Sequence, residues 1–291
     1  MMAASRPCIH MADKASATKI TDDALRPLAP GKLIRIGVGS VAVDVAPEAG
    51  GRVAQITVDG RAWLIGYDRS NAAMIGWGSY PMLPWAGRLR HGAFAFGGAT
   101  YRLPTNLGGH AIHGLGFALP WRVEAASDRH VELLLQLPQD ACWPFGGSAR
   151  QRIEIVGERA LRMDLSLTAG ETAMPAVIGW HPWFRKPDRV EFHPTGIYPR
   201  DADGMAALPV APVQPGPWDD CFINVEPVQI ERGGQRVRLS SDCRHWVVYD
   251  EPVYATCIEP QSGPPDAFNI EPEHMLAAGS SLSAWFCLEW S

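Results

Sequence analysis

The sequence predicts an all-β chain: one large domain of many short strands whose sheets pack face to face. Three observations point there. Apolar and polar residues alternate with period two through most of the chain, as on half-buried strands. The 29 glycines and 25 prolines fall between those runs, where tight turns need them. No long stretch has the 3.6-residue apolar period of an amphipathic helix. A hydrophobic share of 46% against 20% charged residues is enough to build a large core.

The runs follow in order. Residues 1–30 are a polar lead with Pro27, Pro30 and Gly31 at its end, expected to be a tail or capping segment. Residues 31–291 are expected to be a single domain. Leu33 to Val38, Val41 to Val45 and Val53 to Val58 alternate as strands. Asp59-Gly60 is a hairpin signal, with Arg61 to Ile65 as the return strand. A hairpin turns at Gly97-Gly98 between Phe94 and Leu103. Further strands are expected at Trp121 to Glu124, His130 to Leu137, Ala149 to Val156, Leu161 to Thr168, Val237 to Leu239, Trp246 to Tyr249, Ala255 to Glu259 and Leu282 to Trp290. Pro265 to Asn269 can form one helical turn. The Pro-rich stretch 208–218 reads as a surface loop. No repeat of about 40–50 residues is present, which argues against a propeller.

The charge balance excludes several classes. The net charge is −5 and no basic cluster is present, so neither nucleic acid nor an anionic membrane is an expected partner. No apolar run reaches the roughly 18 residues of a membrane span. Residues 1–20 lack the apolar core of a secretory signal, so the expected compartment is the cytoplasm. The cysteines at 8, 142, 221, 243, 257 and 287 form no CxxC pair and read as free thiols.

Four polar segments interrupt the strand pattern: 84–92, 108–114, 179–184 and 256–266. They hold neither a G-x-S-x-G nucleophile turn nor a phosphate-binding glycine loop. His110, His113, His181 and Glu259 could in principle bind a metal, but no H-x-H pair or H-E-x-x-H helix supports it. What remains is acid–base chemistry by histidine and carboxylate. Trp85, Trp180, Trp183 and Trp218 adjoin these segments, and indole faces suit the C–H face of a sugar ring; core packing is the alternative for each. Arg185-Lys186 reads as a solvated pair or as a contact for an anionic sugar.

The order of segments resembles the aldose 1-epimerase (galactose mutarotase) family. The matching residues are Gly87-Arg88-Leu89, Ile112-His113-Gly114, His181-Pro182-Trp183-Phe184, Asp219-Asp220-Cys221-Phe222, and Glu259-Pro260-Gln261 leading to Pro265-Asp266. The resemblance implies a large antiparallel β-sandwich, the galactose mutarotase-like supersandwich. It implies an isomerase acting on a small-molecule sugar as a monomer or homodimer, with no cofactor and no metal. His181 resembles the general acid at the ring oxygen and Glu259 the general base at the anomeric hydroxyl. Arg88, His113 and Asp219, with Asp220 as the neighbouring candidate, resemble the substrate-binding residues. Ring opening in this form needs a protonated His181 and an ionised Glu259. Gly87 stands where the family has Asn, Leu115 where it has a second Gly, and Trp183 where it has Tyr; these departures bear on which sugar is held. The alternatives are an epimerase of a phosphorylated or acidic sugar, of the glucose-6-phosphate 1-epimerase kind, and a carbohydrate-binding protein without turnover.

Overall fold

The computed structural model describes residues 22–291. Most of the polar lead, with Cys8, lies outside the described residues. Residues 22–30 lie across two loops: the Ala24 amide donates to Asn106 and the Leu28 amide to Ala72. No helix among the described residues is long and apolar enough to cross a membrane.

Two antiparallel sheets carry the fold. The larger, of ten strands, runs in spatial order Ile34–Val38, Val41–Ala46, Arg52–Val58, Ser79–Met82, Gly179–Arg185, Ala255–Gln261, His245–Tyr249, Asp219–Ile223 and Gly196–Tyr198; Arg61–Ala62 pairs with Arg52–Val58 off this path. The smaller, of eight strands, runs Arg122–Ala126, His130–Gln136, Ser148–Val156, Ala160–Thr168, Ser281–Trp290, Gln235–Ser241, Val228–Arg232 and Arg189–Glu191. The sequence pattern explains the smaller sheet directly. Along Ala160–Thr168, Leu161, Met163, Leu165 and Leu167 are buried while the residues between are not. One core joins both sheets, with Val43, Ile56, Trp180 and Ile258 on one side and Leu133, Ile153, Leu165 and Phe286 on the other. Gln151 is polar within it but satisfied: it donates to Gly51 O (2.7 Å) and accepts from the Trp180 indole (3.1 Å).

The fold is the all-β sandwich expected, with differences that have physical causes. Ser79–Met82 and Gly179–Arg185 are central strands buried on both faces, except for Arg185. They therefore lack the alternation that marks a half-buried strand. The return strand after Asp59-Gly60 keeps only Arg61–Ala62. Cys221, Cys243, Cys257 and Cys287 are free thiols, whereas Cys142 is not.

Candidate active site

The two-residue period of the central strands builds the site. In Gly179–Arg185, Trp180 and Phe184 face the core, so His181 and Trp183 face the other way. In Ala255–Gln261 the same alternation turns Cys257, Glu259 and Gln261 to that face. The pairs Gly179–Gln261 and Trp183–Cys257 bracket His181 opposite Glu259. The ladder extends the row from Tyr80 through His181, Glu259, Val247 and Cys221 to Tyr198. Glu259 and His181 thus meet because two neighbouring strands hold one register.

His181 Nε2 lies 3.2 Å from Glu259 Oε1, with the two residues 5% and 2% exposed. The imidazole is flanked by the rings of Tyr80 (4.8 Å) and Trp183 (5.4 Å), which fix its plane. Gln261 Nε2 donates to Glu259 Oε2 at 3.3 Å. Burial pulls His181 down to about 3, helped by the Arg52 charge. Burial and the Asp219 charge push Glu259 well above the usual carboxylate range, against smaller opposing effects of Gln261 and Arg88. The protonated imidazole beside an ionised carboxylate is therefore not the form that burial favours. Desolvation instead favours the neutral pair, with the proton on the carboxyl rather than on the imidazole.

Two loops bring the supports. A short ladder pairs Arg88–Leu89 with Ala111–Ile112, and the His113 amide donates to Gly87 O (2.9 Å). His113 stands at φ +60 with its ring 4.9 Å from that of His181. The next residue has φ +72, and a Cβ on it would sit 2.0 Å from Leu83 O, so Gly114 is dictated by this turn. Burial and the charges of His181 and Arg88 hold His113 well below the usual imidazole value, and its buried Nδ1 has no hydrogen-bond partner among the described residues. Arg88 Nη1 is 3.6 Å from Asp219 Oδ2. Burial raises the Asp219 carboxyl against the pull of Arg88 and Arg200.

These side chains line one cavity of about 400 Å³, shared by Gly87, Arg88, His113, His181, Trp183, Asp219, Asp220 and Glu259. All five site residues expected from the sequence are thus brought together. Arg200, Tyr249 and Glu251 also line it and were not anticipated. Arg200 contacts Asp219 Oδ2 (3.6 Å) and Asp220 Oδ1 (3.1 Å). It opens a loop that Arg90 ties down through Asp201 and Asp203, while the same guanidinium reaches Asp266. No local pattern marks such an arginine; only the neighbouring Asp201-Ala202-Asp203-Gly204 turn is visible in sequence.

Of the four tryptophans, Trp183 alone lines the cavity. Trp180 and Trp85 belong to the core, and Trp218 packs on Phe222. Leu115 packs against the core outside the cavity. Gly87 departs for a steric reason: its φ is +65, and a Cβ would lie 2.6 Å from Pro265 Cβ. Gly87→Asn is therefore expected to cost about 1–3 kcal/mol through overpacking and backbone strain. Urea denaturation measures this, and an unchanged midpoint contradicts the steric explanation.

The metal set weighed from the sequence is not assembled. His110 stacks on His91 (5.0 Å) in an outer turn. Among the described residues, the donor atoms that do converge, within 4.8 Å of one another, belong to His181, Cys257 and Glu259.

The sequence profile of the aldose 1-epimerase family matches residues 32–289. A protein of Escherichia coli strain K12, YihR, itself uncharacterized, is 28% identical over 105 residues, 35% of this chain and 34% of that protein; the match spans about a third of that relative's length. The fold is similar to that of a galactose mutarotase-like protein from Clostridium acetobutylicum (TM-score 0.78, 17% identity, covering 89% of this chain and 95% of that one). It is also similar to the GalM/aldose epimerase homologue from C. elegans (0.78, 16%, 89% and 98%) and to galactose 1-epimerase from Lactobacillus acidophilus NCFM (0.73, 16%, 87% and 91%). With the profile covering nearly the whole chain and the sandwich shared with these structures, the chain belongs to the aldose 1-epimerase family.

Proposed function

We propose that this protein interconverts the α and β anomers of a neutral hexose by acid–base ring opening and reclosure. The observation that carries this reading is the buried His181–Glu259 contact at 3.2 Å in the wall of a sugar-sized cavity. Opening a cyclic hemiacetal takes one proton from O1 and delivers one to the ring oxygen. The C1–ring-oxygen bond then breaks and an open-chain aldehyde remains. Rotation about C1–C2 presents the other carbonyl face, and the two proton transfers run backwards. Glu259 serves as the base at O1 and His181 as the acid at the ring oxygen. Hydroxyls that hydrogen-bond to the pair favour its ionic tautomer, with the proton on the imidazole. Arg88, His113 and Asp219 hold the remaining hydroxyls.

A neutral sugar is supported by the charges of the wall. Arg88 and Arg200 face three carboxylates, Asp219, Asp220 and Glu251, besides the Glu259 carboxyl, and both arginines already contact Asp219. An added phosphate or carboxylate meets a net negative surface. Arg185 and Lys186 do not line the cavity, and the Lys186 ammonium donates to Asp250 O (2.5 Å). A binding protein without turnover is less well supported, because burying an imidazole–carboxylate pair is costly and hydroxyl recognition does not require it.

The test is polarimetry on freshly dissolved α-anomers of neutral hexoses, hexose phosphates and hexuronates. Acceleration of a neutral hexose is expected. Acceleration of phosphates or uronates alone transfers the assignment to the charged-sugar reading, and none at all contradicts turnover.

The pH dependence follows from the two shifts. Between about 3, where His181 takes up a second proton, and the raised level of Glu259, where the last one leaves, the pair holds one proton. We expect kcat/KM to show no acid limb at the ordinary carboxylate value of about 4.3, and to fall on the alkaline side as the raised Glu259 carboxyl loses the pair's last proton. An acid limb at that ordinary value contradicts the single-proton pair.

A further inference from the structure

We propose that the floor of the cavity is also a binding site for a thiophilic divalent cation of the zinc class, held by His181, Cys257 and Glu259. The cation takes the place of the transferred protons and stops turnover.

The placement comes from the register. Cys257 and Glu259 are two residues apart on one strand and share its cavity-side face. Cys257 pairs with Trp183, two residues beyond His181 on the neighbouring strand. The three residues are buried and their donor atoms lie within 4.8 Å of one another. Bond lengths of about 2.0–2.3 Å to zinc set ligand-to-ligand separations in a tetrahedral site at roughly 3.3–3.8 Å. Closing the group to that size needs side-chain movement of about an ångström.

Donor chemistry selects the ion. Imidazole nitrogen, thiolate sulfur and carboxylate oxygen form a mixed set that suits Zn²⁺, Co²⁺ or Cu²⁺; Mg²⁺ and Ca²⁺ need oxygen shells. The Cys257 thiol and the Glu259 carboxyl each lose a proton to solvent as their bonds to the metal form, and no electron changes hands. Thiolate, carboxylate and neutral imidazole then carry a charge of −2, which balances a divalent ion in a site where a net charge is expensive. His181 and Glu259 line the cavity, so the fourth coordination position opens to it. The Cys257 thiol has no part in the proposed ring opening.

The probe is Co²⁺, titrated into the whole purified protein while the near-ultraviolet sulfur-to-cobalt charge-transfer band is followed. One equivalent is expected to raise the band, Zn²⁺ to erase it, and Cys257→Ser to lose it. Cys257→Ala replaces the serine variant if that one does not fold. Mutarotation is inhibited by Zn²⁺ in parallel. Loss of an outer-shell partner alone typically weakens a metal site about 10–100-fold. Removing the sulfur ligand is therefore expected to raise half-inhibition by at least about tenfold, relative to each variant's own metal-free rate. His110→Asn is expected to keep the band, since the His91–His110 pair is a separate surface feature. A wild-type protein without the band overturns the site, and so does a band that survives the loss of Cys257. The spectrum needs no turnover, so a band in a protein that fails to accelerate mutarotation leaves this site standing and removes the epimerase reading alone.

Discussion

Glu259→Gln is expected to lower kcat/KM for the proposed anomer interconversion by about 10²–10⁴-fold, the range typical of losing one positioned proton-transfer group. The amide matches the carboxyl in shape but offers no base. Burial already drives this carboxyl toward its neutral form, so the substitution removes no obligatory buried charge. Thermal stability is therefore expected to be kept or raised while turnover is lost. Progress curves at fixed enzyme concentration and a melting curve measure the two together. Activity within tenfold of wild type contradicts the assignment. Loss of activity accompanied by a large fall in Tm would instead make Glu259 a structural residue.

Arg52→Met destabilises the fold by at least about 4 kcal/mol, because several buried acceptors lose their donor at once. The Arg52 side chain is 0% exposed and donates to the carbonyls of Ala49 (2.6 Å), Met74 (2.8 Å), Trp77 (2.9 Å) and Phe117 (2.8 Å). Its guanidinium also lies over the rings of Trp77 (4.3 Å) and Tyr80 (4.9 Å). One residue thus joins a turn and two loops to the strand beside His181. Tyr80 stacks on that imidazole, so activity at a temperature where the variant is folded should fall as well. Urea denaturation decides the point; a loss below about 1 kcal/mol would show that water replaces the guanidinium at little cost.

The strands of the smaller sheet were legible because they are buried on one face only. Ala160–Thr168 and Ser148–Val156 show their core residues at every second position. The same rule hid Ser79–Met82 and Gly179–Arg185, which are covered on both sides. The site was legible as an ordered set of short segments. His181 and Glu259 lie 78 positions apart, and composition gives no reason for them to touch; the ladder does. Trp180 and Trp183 differ by an odd number of residues on one strand, so they face opposite ways, one to the core and one to the cavity. Gly87 is explained by Pro265, a neighbour 178 positions away whose approach only the fold reveals. Arg52 and Arg200 were missed because an arginine in a strand or before a turn looks like surface until its partners are known.

The proposed work of the His181–Glu259 pair is to open and close a hemiacetal ring. Magnetisation exchange between the α and β anomeric protons of a neutral hexose at equilibrium tests it most directly, since it reads interconversion without net reaction. Saturation transfer is expected in the presence of wild-type protein and is expected to vanish with Glu259→Gln at the same concentration. Exchange no faster than in buffer across the neutral hexoses, or exchange undiminished in the variant, would contradict it.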